Sequence, residues 1–495
     1  MELPNLDSWR RWRKEGFNRL PVVRVERGAS RPSTWANVTD GVATVLLESA
    51  QAGRYTFICG ALERIIVGQS DGAQIWSGDY TVITEERMGA PLAVLNALLS
   101  EPKAPKLRHW PSMTGGLMGV LGYDLVRTWE RLPYSARRDL TVPLYAMVEP
   151  SELYIFDHRD ATLGIVVWCD LSSNNTELGQ TFRLAEEAVN RAWTRWQMGT
   201  ASHQRKAVVR TLDIGGTTPS VSSLSGEAFQ SAVNRVKEYI AAGDTYQVNL
   251  SLRTSRITAI PPLEIYEALR RVNPSPYMGL LQLPAFALVC GSPELLVRLE
   301  NGVVSSRPIA GTRPRGAVAA EDQNFSAELF ASEKERAEHL MLVDLIRNDI
   351  GRVAGFGTVH VSEFMALEQY SHVMHIVSQV EGRLADGRTW VDVFQSMFPG
   401  GTITGCPKIR TMEIIEELEP VGRGYYTGAL GWISYSGEME MNIVIRSMVV
   451  QNGVAHVQAG AGIVADSQPA HELDEALRKA EALWVALNEA TISHG

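Results

Sequence analysis

Two pairs of glutamates are spaced so that they could hold a metal ion. Glu335 and Glu338 lie three residues apart in ERAEHLMLVDLIRND, and Glu472 and Glu475 repeat that spacing in HELDEALRKAEAL. Apolar residues recur at helical spacing in both segments, so each pair would share one face of a helix. Four carboxylates on two helices could bind a hard cation such as Mg²⁺. Spacing alone favours a simpler interpretation, two amphipathic helices with solvated acidic faces, and other segments must decide.

Two glycine-rich segments could bind an anion. The segment FPGGTITGCPK contains Gly405 and places Lys408 at the start of a predicted helix, and QAGAGIVAD contains Gly460 and Gly462. Glycines leave backbone N–H groups accessible, and a helix N-terminus favours negative charge. The first segment lacks the GK[ST] ending of a Walker A motif. The alternative interpretation is a tight loop followed by a helix that starts at Pro407.

Three further polar residues occur in apolar surroundings. Arg446 in NIVIRSM must be paired, extended to the surface or bound to an anion, and a bidentate contact with a carboxylate would suit it. His375 in SHVMHIVS could be a core histidine or an acid–base group. Glu294 in CGSPELLV could be a strand-edge charge or a general acid. Together these residues suggest a small polyanionic substrate beside a carboxylate-bound metal.

The elements that would position these residues predict an α+β fold with two packed sheets. Short runs of β-branched and aromatic residues dominate positions 21–157, and helices and strands then mix without regular β-α-β-α alternation. We predict a helix over 174–196, a helix over 372–379 that includes His375, and a hairpin turn at SYSGE. The predicted domains are a strand-rich region at 1–197, a Gly/Ser/Thr-rich linker at 198–227 and a catalytic region at 228–488 intertwined with the first.

Composition excludes several classes of protein. The 495 residues contain 47 Lys plus Arg and 56 Asp plus Glu, a net charge of −9, which gives no electrostatic case for nucleic acid or an anionic membrane. The four cysteines lack CxxC spacing, which argues against a zinc site or a disulfide framework. No signal-peptide core and no apolar run of about 18 residues is present, so we expect a cytoplasmic protein outside the membrane.

Five motifs in order resemble the chorismate-utilising enzymes, a family that includes anthranilate synthase component I, aminodeoxychorismate synthase component I, isochorismate synthase and salicylate synthase. They are PIAGTRPRG, AEHLMLVDLIRND, SHVMHIVS, FPGGTITGCPKIRTMEIIEELEP and AGAGIVADS. The resemblance covers most of 228–487, and LLESAQAGRYTFICG extends it toward the amino-transferring members. It implies Mg²⁺, chorismate and a two-sheet β-sandwich core flanked by helices.

The resemblance also assigns roles to residues. It makes Glu338 and Glu475 the direct Mg²⁺ ligands, with Glu335 and Glu472 in support through water. Glu294 matches the general acid that protonates the departing hydroxyl. The residues that match the surroundings of the substrate are His375 near the leaving group; Tyr426, Arg446, Gly460 and Gly462 at the enolpyruvyl carboxylate; Thr402, Gly405 and Lys479 near the ring; and Lys408 beside them.

Gln247 in TYQVNLS indicates the nucleophile. Water-adding members carry a lysine general base in this segment, whereas ammonia-using members carry glutamine. A neutral amide cannot deprotonate water, so we expect ammonia. Cys406 is not set in a nucleophile elbow, and the chain shows no glutaminase of its own. The resemblance therefore implies a heterodimer with a separate glutamine amidotransferase subunit.

The position of amination leaves two alternatives. Ala310 replaces the lysine of PIKGT that attacks C2 in many aminodeoxychorismate synthases, which favours anthranilate synthase. Against this, LLESAQAGRYT lacks the insertion common in anthranilate synthases, and RGYYTGALGWISY looks closest to aminodeoxychorismate synthases of Gram-positive bacteria, which themselves carry PIAGT. We favour Mg-dependent amination to 4-amino-4-deoxychorismate for p-aminobenzoate and folate. The alternatives are anthranilate plus pyruvate for tryptophan, or a non-catalytic binding module.

A possible regulatory pocket follows from the same resemblance. The residues that match the tryptophan pocket of anthranilate synthase are Leu47, Glu48, Ser49, Asn273, Pro274, Pro276, Tyr277 and Met278. In a folate enzyme the same residues could simply pack a strand against a loop.

Overall fold

The computed structural model describes residues 3–31, 43–49, 53–172, 177–201, 220–315, 319–369 and 373–492. These residues contain ten α-helices and two antiparallel sheets of twelve strands each. The helices are α1 Leu6–Lys14, α2 Pro91–Ser100, α3 Leu178–Ala201, α4 Gly226–Ala241, α5 Pro262–Val272, α6 Ala319–Ala331, α7 Glu333–Gly351, α8 Trp390–Met397, α9 Lys408–Leu418 and α10 Pro469–Ile492. The strands are β1 Arg19–Arg27, β2 Thr44–Glu48, β3 Tyr55–Cys59, β4 Leu62–Gln69, β5 Gly72–Ser77, β6 Ile83–Met88, β7 Gly116–Leu121, β8 Tyr145–Pro150, β9 Glu152–Asp157, β10 Thr162–Asp170, β11 Val221–Ser222, β12 Gln247–Ile257, β13 Tyr277–Leu283, β14 Phe286–Ser292, β15 Leu295–Glu300, β16 Val303–Ser306, β17 Ile309–Pro314, β18 His360–Gln369, β19 Val373–Arg383, β20 Gly405–Cys406, β21 Ala429–Ser434, β22 Met439–Ile443, β23 Ser447–Gln451 and β24 Val454–Ile463.

Each sheet combines strands from the two halves of the chain. The first sheet has the order β1-β10-β9-β3-β2-β13-β14-β23-β24-β12-β11, with β20 paired to β12. The second has the order β17-β19-β16-β15-β22-β21-β7-β8-β4-β5-β6, with β18 paired to β19. The pairs β2–β13 and β7–β21 join early strands to late ones. Of the predicted linker at 198–227, residues 202–219 lie outside the described residues.

The two sheets pack face to face and helices cover their outer faces. Leu47 and Cys290 of the first sheet share one apolar cluster with Val120 and Leu430 of the second. Helices α1, α3, α5 and α10 cover the first sheet, and α2, α7 and α8 cover the second. Strands such as β2 are buried throughout because apolar layers contact both of their faces. This arrangement confirms the predicted α+β fold with its two-sheet core.

The two glutamate pairs lie at the N-terminal ends of long helices. Ser332 caps α7, and its hydroxyl accepts a hydrogen bond from the Glu335 N–H at 3.3 Å. Helix α10 begins at Pro469, whose fixed φ suits a first helical position, and Glu472 lies in its first turn. The partial positive charge of each helix N-terminus stabilises the nearby carboxylates.

Two local predictions have opposite outcomes. The helix predicted over 372–379 is wrong, because residues from Val373 form strand β19, which pairs with β16, β17 and β18. A short apolar run fits a buried helix or a buried strand equally well, and the sheet pairing decides between them. The turn predicted at SYSGE is confirmed, since it joins β21 to β22 with Gly437 at φ +78°.

In the ranges that the structure describes, no helix combines the length and the apolar character that crossing a bilayer requires.

Candidate active site

Glu294 lies in the link between β14 and β15, where the backbone fixes its position. Its N–H donates to Ser292 Oγ at 3.2 Å, and its carbonyl accepts from the Ile443 N–H at 3.0 Å. The residue is 8% exposed, and burial raises the pKa of its carboxyl to about 7. The nearby Thr402 hydroxyl and Lys479 ammonium oppose this rise in pKa. A carboxyl that holds its proton near neutral pH can act as a general acid.

Thr402 and Lys479 both act on the Glu294 carboxyl. Thr402 Oγ1 is buried and makes no hydrogen bond of regular geometry to any described residue, although it is close enough to Glu294 to lower the pKa of that carboxyl. The Lys479 ammonium donates to the Gly460 carbonyl at 3.1 Å and forms an ion pair with Glu475 at 2.7 Å. Helix α10 is thereby connected to the glycine-rich end of β24.

Gln247 is the first residue of β12, and glycines surround it. The residue is 4% exposed, and β12 pairs with β24 so that Asn249 lies opposite Gly462. A Cβ at Gly462 would clash with Gln247 Nε2, and a Cβ at Gly405, where φ is +132°, would clash with the Gln247 carbonyl. Both positions therefore need glycine if this neutral amide is to stay where it is.

Arg446 is a partly buried cation to which the described residues offer no ionic partner. It lies between β22 and β23 at φ +49°, and its carbonyl accepts from the Gly291 N–H at 3.0 Å. Its guanidinium makes no hydrogen bond or ion pair with any residue in the described ranges. Burial lowers its pKa, while the Tyr426 hydroxyl and the Glu475 carboxylate act in the opposite direction. A desolvated, unpaired guanidinium is suited to binding an anion.

His375 lies on β19, near enough to Arg446 for the guanidinium charge to act on its imidazole. Its Nδ1 is 2.9 Å from the Gly311 carbonyl, and because a carbonyl only accepts, Nδ1 carries the proton. Burial lowers the pKa of the imidazole, and the positive charge of Arg446 lowers it further. The neutral ring therefore presents Nε2 as an acceptor.

The candidate metal ligands lie on two helices, α7 and α10. Glu335 forms an ion pair with Arg313 at 3.6 Å, and Glu475, 48% exposed at its side chain, pairs with Lys479. Glu472 is buried and Glu338 is partly buried. No three His, Cys, Asp or Glu side chains of the described residues are arranged to hold a metal ion. The four side chains offer carboxylate oxygens, the ligands that Mg²⁺ prefers, and two of the four form ion pairs with cationic side chains.

The structure places Lys408 away from these groups. Its ammonium donates to Asp349 Oδ2 at 2.8 Å and to the carbonyls of Ser396 and Met397 at 3.4 and 3.3 Å. These bonds attach the start of α9 to the end of α7. Its assignment to the substrate stays a prediction.

Tyr426 and two residues that the sequence analysis missed form a buried group beside the site. Burial raises the pKa of the Tyr426 hydroxyl, and the Arg423 guanidinium lies 5.5 Å from its ring centre. Arg423 pairs with Glu419. Glu419 and Arg423 lie in ELEPVGRGYY, on either side of a Pro and a Gly. Their opposite charges at a spacing of four residues could have indicated an ion pair.

The residues matched to a tryptophan pocket lie together. A cavity of about 1250 Å³ between the sheets is lined by Leu47, Glu48, Ser49, Pro274, Pro276, Tyr277 and Met278. Asn273 follows α5 and does not line the cavity. Glu48 accepts a hydrogen bond from the Tyr266 hydroxyl at 2.9 Å and forms an ion pair with Arg270 at 3.2 Å. Tryptophan binding stays a prediction.

The chain is similar in sequence and in fold to known proteins of one family. The family model described as chorismate binding enzyme matches residues 44–484. Aminodeoxychorismate synthase component 1 of Bacillus subtilis is 43% identical over 444 residues, covering 90% of this chain and 91% of that protein. Anthranilate synthase component 1 of Thermus thermophilus is 44% identical over 452 residues, covering 90% of this chain and 92% of that protein. The crystal structure of anthranilate synthase component I from Streptococcus pneumoniae superposes with a TM-score of 0.75 at 30% identity, covering 87% of this chain and 92% of that one.

Proposed function

Because the chain belongs to the chorismate binding enzyme family, we propose that it aminates chorismate with ammonia to give 4-amino-4-deoxychorismate. In the balanced reaction the C4 hydroxyl leaves as water and the ammonia nitrogen takes its place at C4. The enolpyruvyl group stays on the ring. This product leads to p-aminobenzoate for folate.

The buried, protonated Glu294 supports the leaving-group step. Its carboxyl would donate its proton to the departing hydroxyl, and its pKa of about 7 keeps it protonated in a useful fraction of molecules at neutral pH. His375, neutral and close to Arg446, would accept a hydrogen bond near the leaving group. Thr402 Oγ1, which has no regular partner among the described residues, would bond a ring substituent.

Arg446 supports a carboxylated substrate. Its unpaired guanidinium would bind the enolpyruvyl carboxylate together with Tyr426 and the backbone N–H groups near Gly460 and Gly462. Lys479 would add positive charge near the ring carboxylate. Glu338 and Glu475, supported by Glu335 and Glu472, would hold Mg²⁺, which when bound would supply charge that anchors the ring carboxylate and helps the hydroxyl to leave.

Gln247 is the observation that carries the choice of ammonia. Its neutral amide is buried at the end of β12, where it can orient a nucleophile through hydrogen bonds but cannot remove a proton from water. Ammonia needs no base before it attacks. We further propose that a separate glutamine amidotransferase subunit supplies the ammonia, and that free ammonium supports the isolated chain at high concentration.

Anthranilate synthase activity is the second candidate. The relatives of both activities match to a similar extent, at 43% and 44% identity. The 1250 Å³ cavity lined by residues of the tryptophan-pocket pattern favours it, as does Ala310. The compact LLESAQAGRYT and the RGYYTGALGWISY segment support the aminodeoxychorismate product instead.

Two measurements separate the candidates. Mass analysis of the product formed from chorismate, Mg²⁺ and ammonium tests the proposed reaction directly. L-Tryptophan that raises the melting temperature and inhibits turnover would favour the anthranilate reaction, and absence of both effects would remove the regulatory pocket.

A further inference from the structure

Glu419 and Arg423 form a fully buried ion pair in the turn after α9. Arg423 Nη2 donates to Glu419 Oε1 at 2.7 Å, and Nε donates to Oε2 at 3.0 Å. The side chains are only 2% and 1% exposed. Taking two charges out of water costs about as much free energy as their attraction returns, so a pair of this kind need not stabilise the fold. Its other contacts therefore indicate what it does.

Arg423 joins two backbone segments and a side chain. Its guanidinium donates to the carbonyls of Ile403 at 2.9 Å and Asn249 at 2.7 Å, and to Thr427 Oγ1 at 3.3 Å. Glu419 Oε1 accepts from the N–H and hydroxyl of Ser251 at 2.9 and 2.7 Å. Three separate parts of the chain are thus held by one pair of side chains.

The hydrogen-bond partners of the pair lie one or two residues from a candidate site residue, or opposite one in the sheet. Ile403 follows Thr402, and Thr427 follows Tyr426. Asn249 lies two residues after Gln247 and opposite Gly462, and Ser251 lies opposite Gly460. Both side chains of the pair are almost fully covered by the protein.

We propose that Glu419 and Arg423 are positioning residues that set the distances between Thr402, Gln247 and Tyr426. The role rests on the proposed function, in which these three residues face the substrate. The planar guanidinium bonds its acceptors in fixed directions, which a flexible ammonium cannot reproduce. Because small displacements of groups around a bound substrate cost much of the rate, the pair should control turnover.

A second buried pair provides a matched control. Arg19 lies 3.4 Å from Glu149, and their side chains are 5% and 1% exposed. The charged and aromatic groups around Arg19 are Glu63, Glu149, Asp170 and Tyr435, none of them a candidate site residue. Arg19→Met should therefore reproduce the loss of a buried guanidinium without moving the site.

The experiment compares Arg423→Met, Arg423→Lys, the double variant Glu419→Met/Arg423→Met and Arg19→Met with the wild-type chain. Melting temperature, chorismate affinity, kcat and KM for chorismate consumption are measured with Mg²⁺ and saturating ammonium. We expect the double variant, which leaves no lone buried charge, to fold and to lose about 100-fold in kcat/KM. We expect Arg423→Lys to recover part of this loss and Arg19→Met to keep the wild-type kcat/KM.

The outcomes are distinct. A folded double variant with wild-type kcat/KM overturns the positioning role, and so does an equal loss of activity per folded molecule in Arg423→Met and Arg19→Met. A wild-type chain that neither binds nor consumes chorismate overturns the proposed function, and the positioning role with it.

Discussion

The side-chain amide of Gln247 fills the space in front of Gly462, the residue diagonal to it across the β12–β24 pair. A side chain at position 462 would collide with Gln247 Nε2, and β20 covers the Gln247 backbone from the other side. A side chain at position 462 would therefore displace the amide. This contact places a neutral amide beside Gly462, whose backbone is predicted to bind the enolpyruvyl carboxylate. A lysine at position 247 would place a base there instead.

Gln247→Lys should admit some addition of water to chorismate. A lysine amine can take a proton from water when its pKa is lowered by burial, whereas an amide cannot. We expect isochorismate as a new product, identified by chromatography and mass. Gln247→Met, which matches the length without a base, should give none. Failure to detect isochorismate from the folded lysine variant would contradict the role assigned to position 247.

Glu294→Gln should lower kcat by roughly 100- to 10,000-fold, the usual contribution of a positioned general acid. Glutamine keeps the shape of the side chain and cannot release a proton. Chorismate affinity, measured by calorimetry, should change little. A variant that keeps wild-type kcat would show that another group protonates the hydroxyl.

The pH dependence follows from the same residue. Because the pKa of Glu294 is raised to about 7 in the folded chain, the acid form is lost and kcat/KM should fall as pH rises through that value. The free energy of unfolding should also fall as pH rises. The unfolded carboxyl has its ordinary lower pKa, so between the two pKa values the folded state binds more protons than the unfolded state. As pH rises from the ordinary carboxyl pKa to about 7, the melting temperature of the wild-type chain should fall. Glu294→Gln should not show the decrease that this carboxyl causes.

Arg446→Met should weaken chorismate binding and stabilise the chain. Loss of a charge-assisted hydrogen bond of about 1.5–3 kcal/mol should raise KM roughly 10- to 100-fold. Removal of an unpaired buried charge should raise the melting temperature. In the control Arg253→Met, a buried guanidinium that pairs with Asp139 is lost, so melting temperature should fall and KM should stay the same. Unchanged KM in Arg446→Met would remove Arg446 from the substrate site.

Glu338→Ala should abolish Mg²⁺-dependent turnover and leave the fold intact, because alanine is the strongest helix former and the residue lies within α7. Mg²⁺ affinity by calorimetry and circular dichroism measure the two effects. Asp344→Ala on the same helix, at a side chain that is 80% exposed, should change neither property. Mg²⁺ binding that survives in Glu338→Ala would exclude Glu338 as a direct ligand.

The sequence predicted the elements whose patterns are local. The two-sheet core and the SYSGE turn follow from runs of β-branched residues and from turn chemistry. The sequence did not predict strand β19, which carries His375. Its short apolar run has no clear period, and it forms a strand because it pairs with other strands.

The site was predictable in its residue types more than in its contacts. Apolar surroundings pointed to Glu294 and Arg446, and the family resemblance pointed to Gln247. The structure buries Glu294 and Gln247 and leaves Arg446 partly buried. Ion pairs such as Arg313–Glu335 and Lys408–Asp349 join residues that are distant in sequence, and no periodicity indicates them. The role of the Glu419–Arg423 pair likewise depends on backbone carbonyls that only the fold brings near.

The identity of the product tests the central claim most directly. The purified chain is incubated with chorismate, Mg²⁺ and ammonium at high concentration, and the products are identified by mass and fluorescence, with pyruvate measured in parallel. Our account predicts 4-amino-4-deoxychorismate without release of pyruvate. Fluorescent anthranilate with an equal amount of pyruvate would contradict it, and unchanged chorismate with a folded chain would favour a binding protein without this activity.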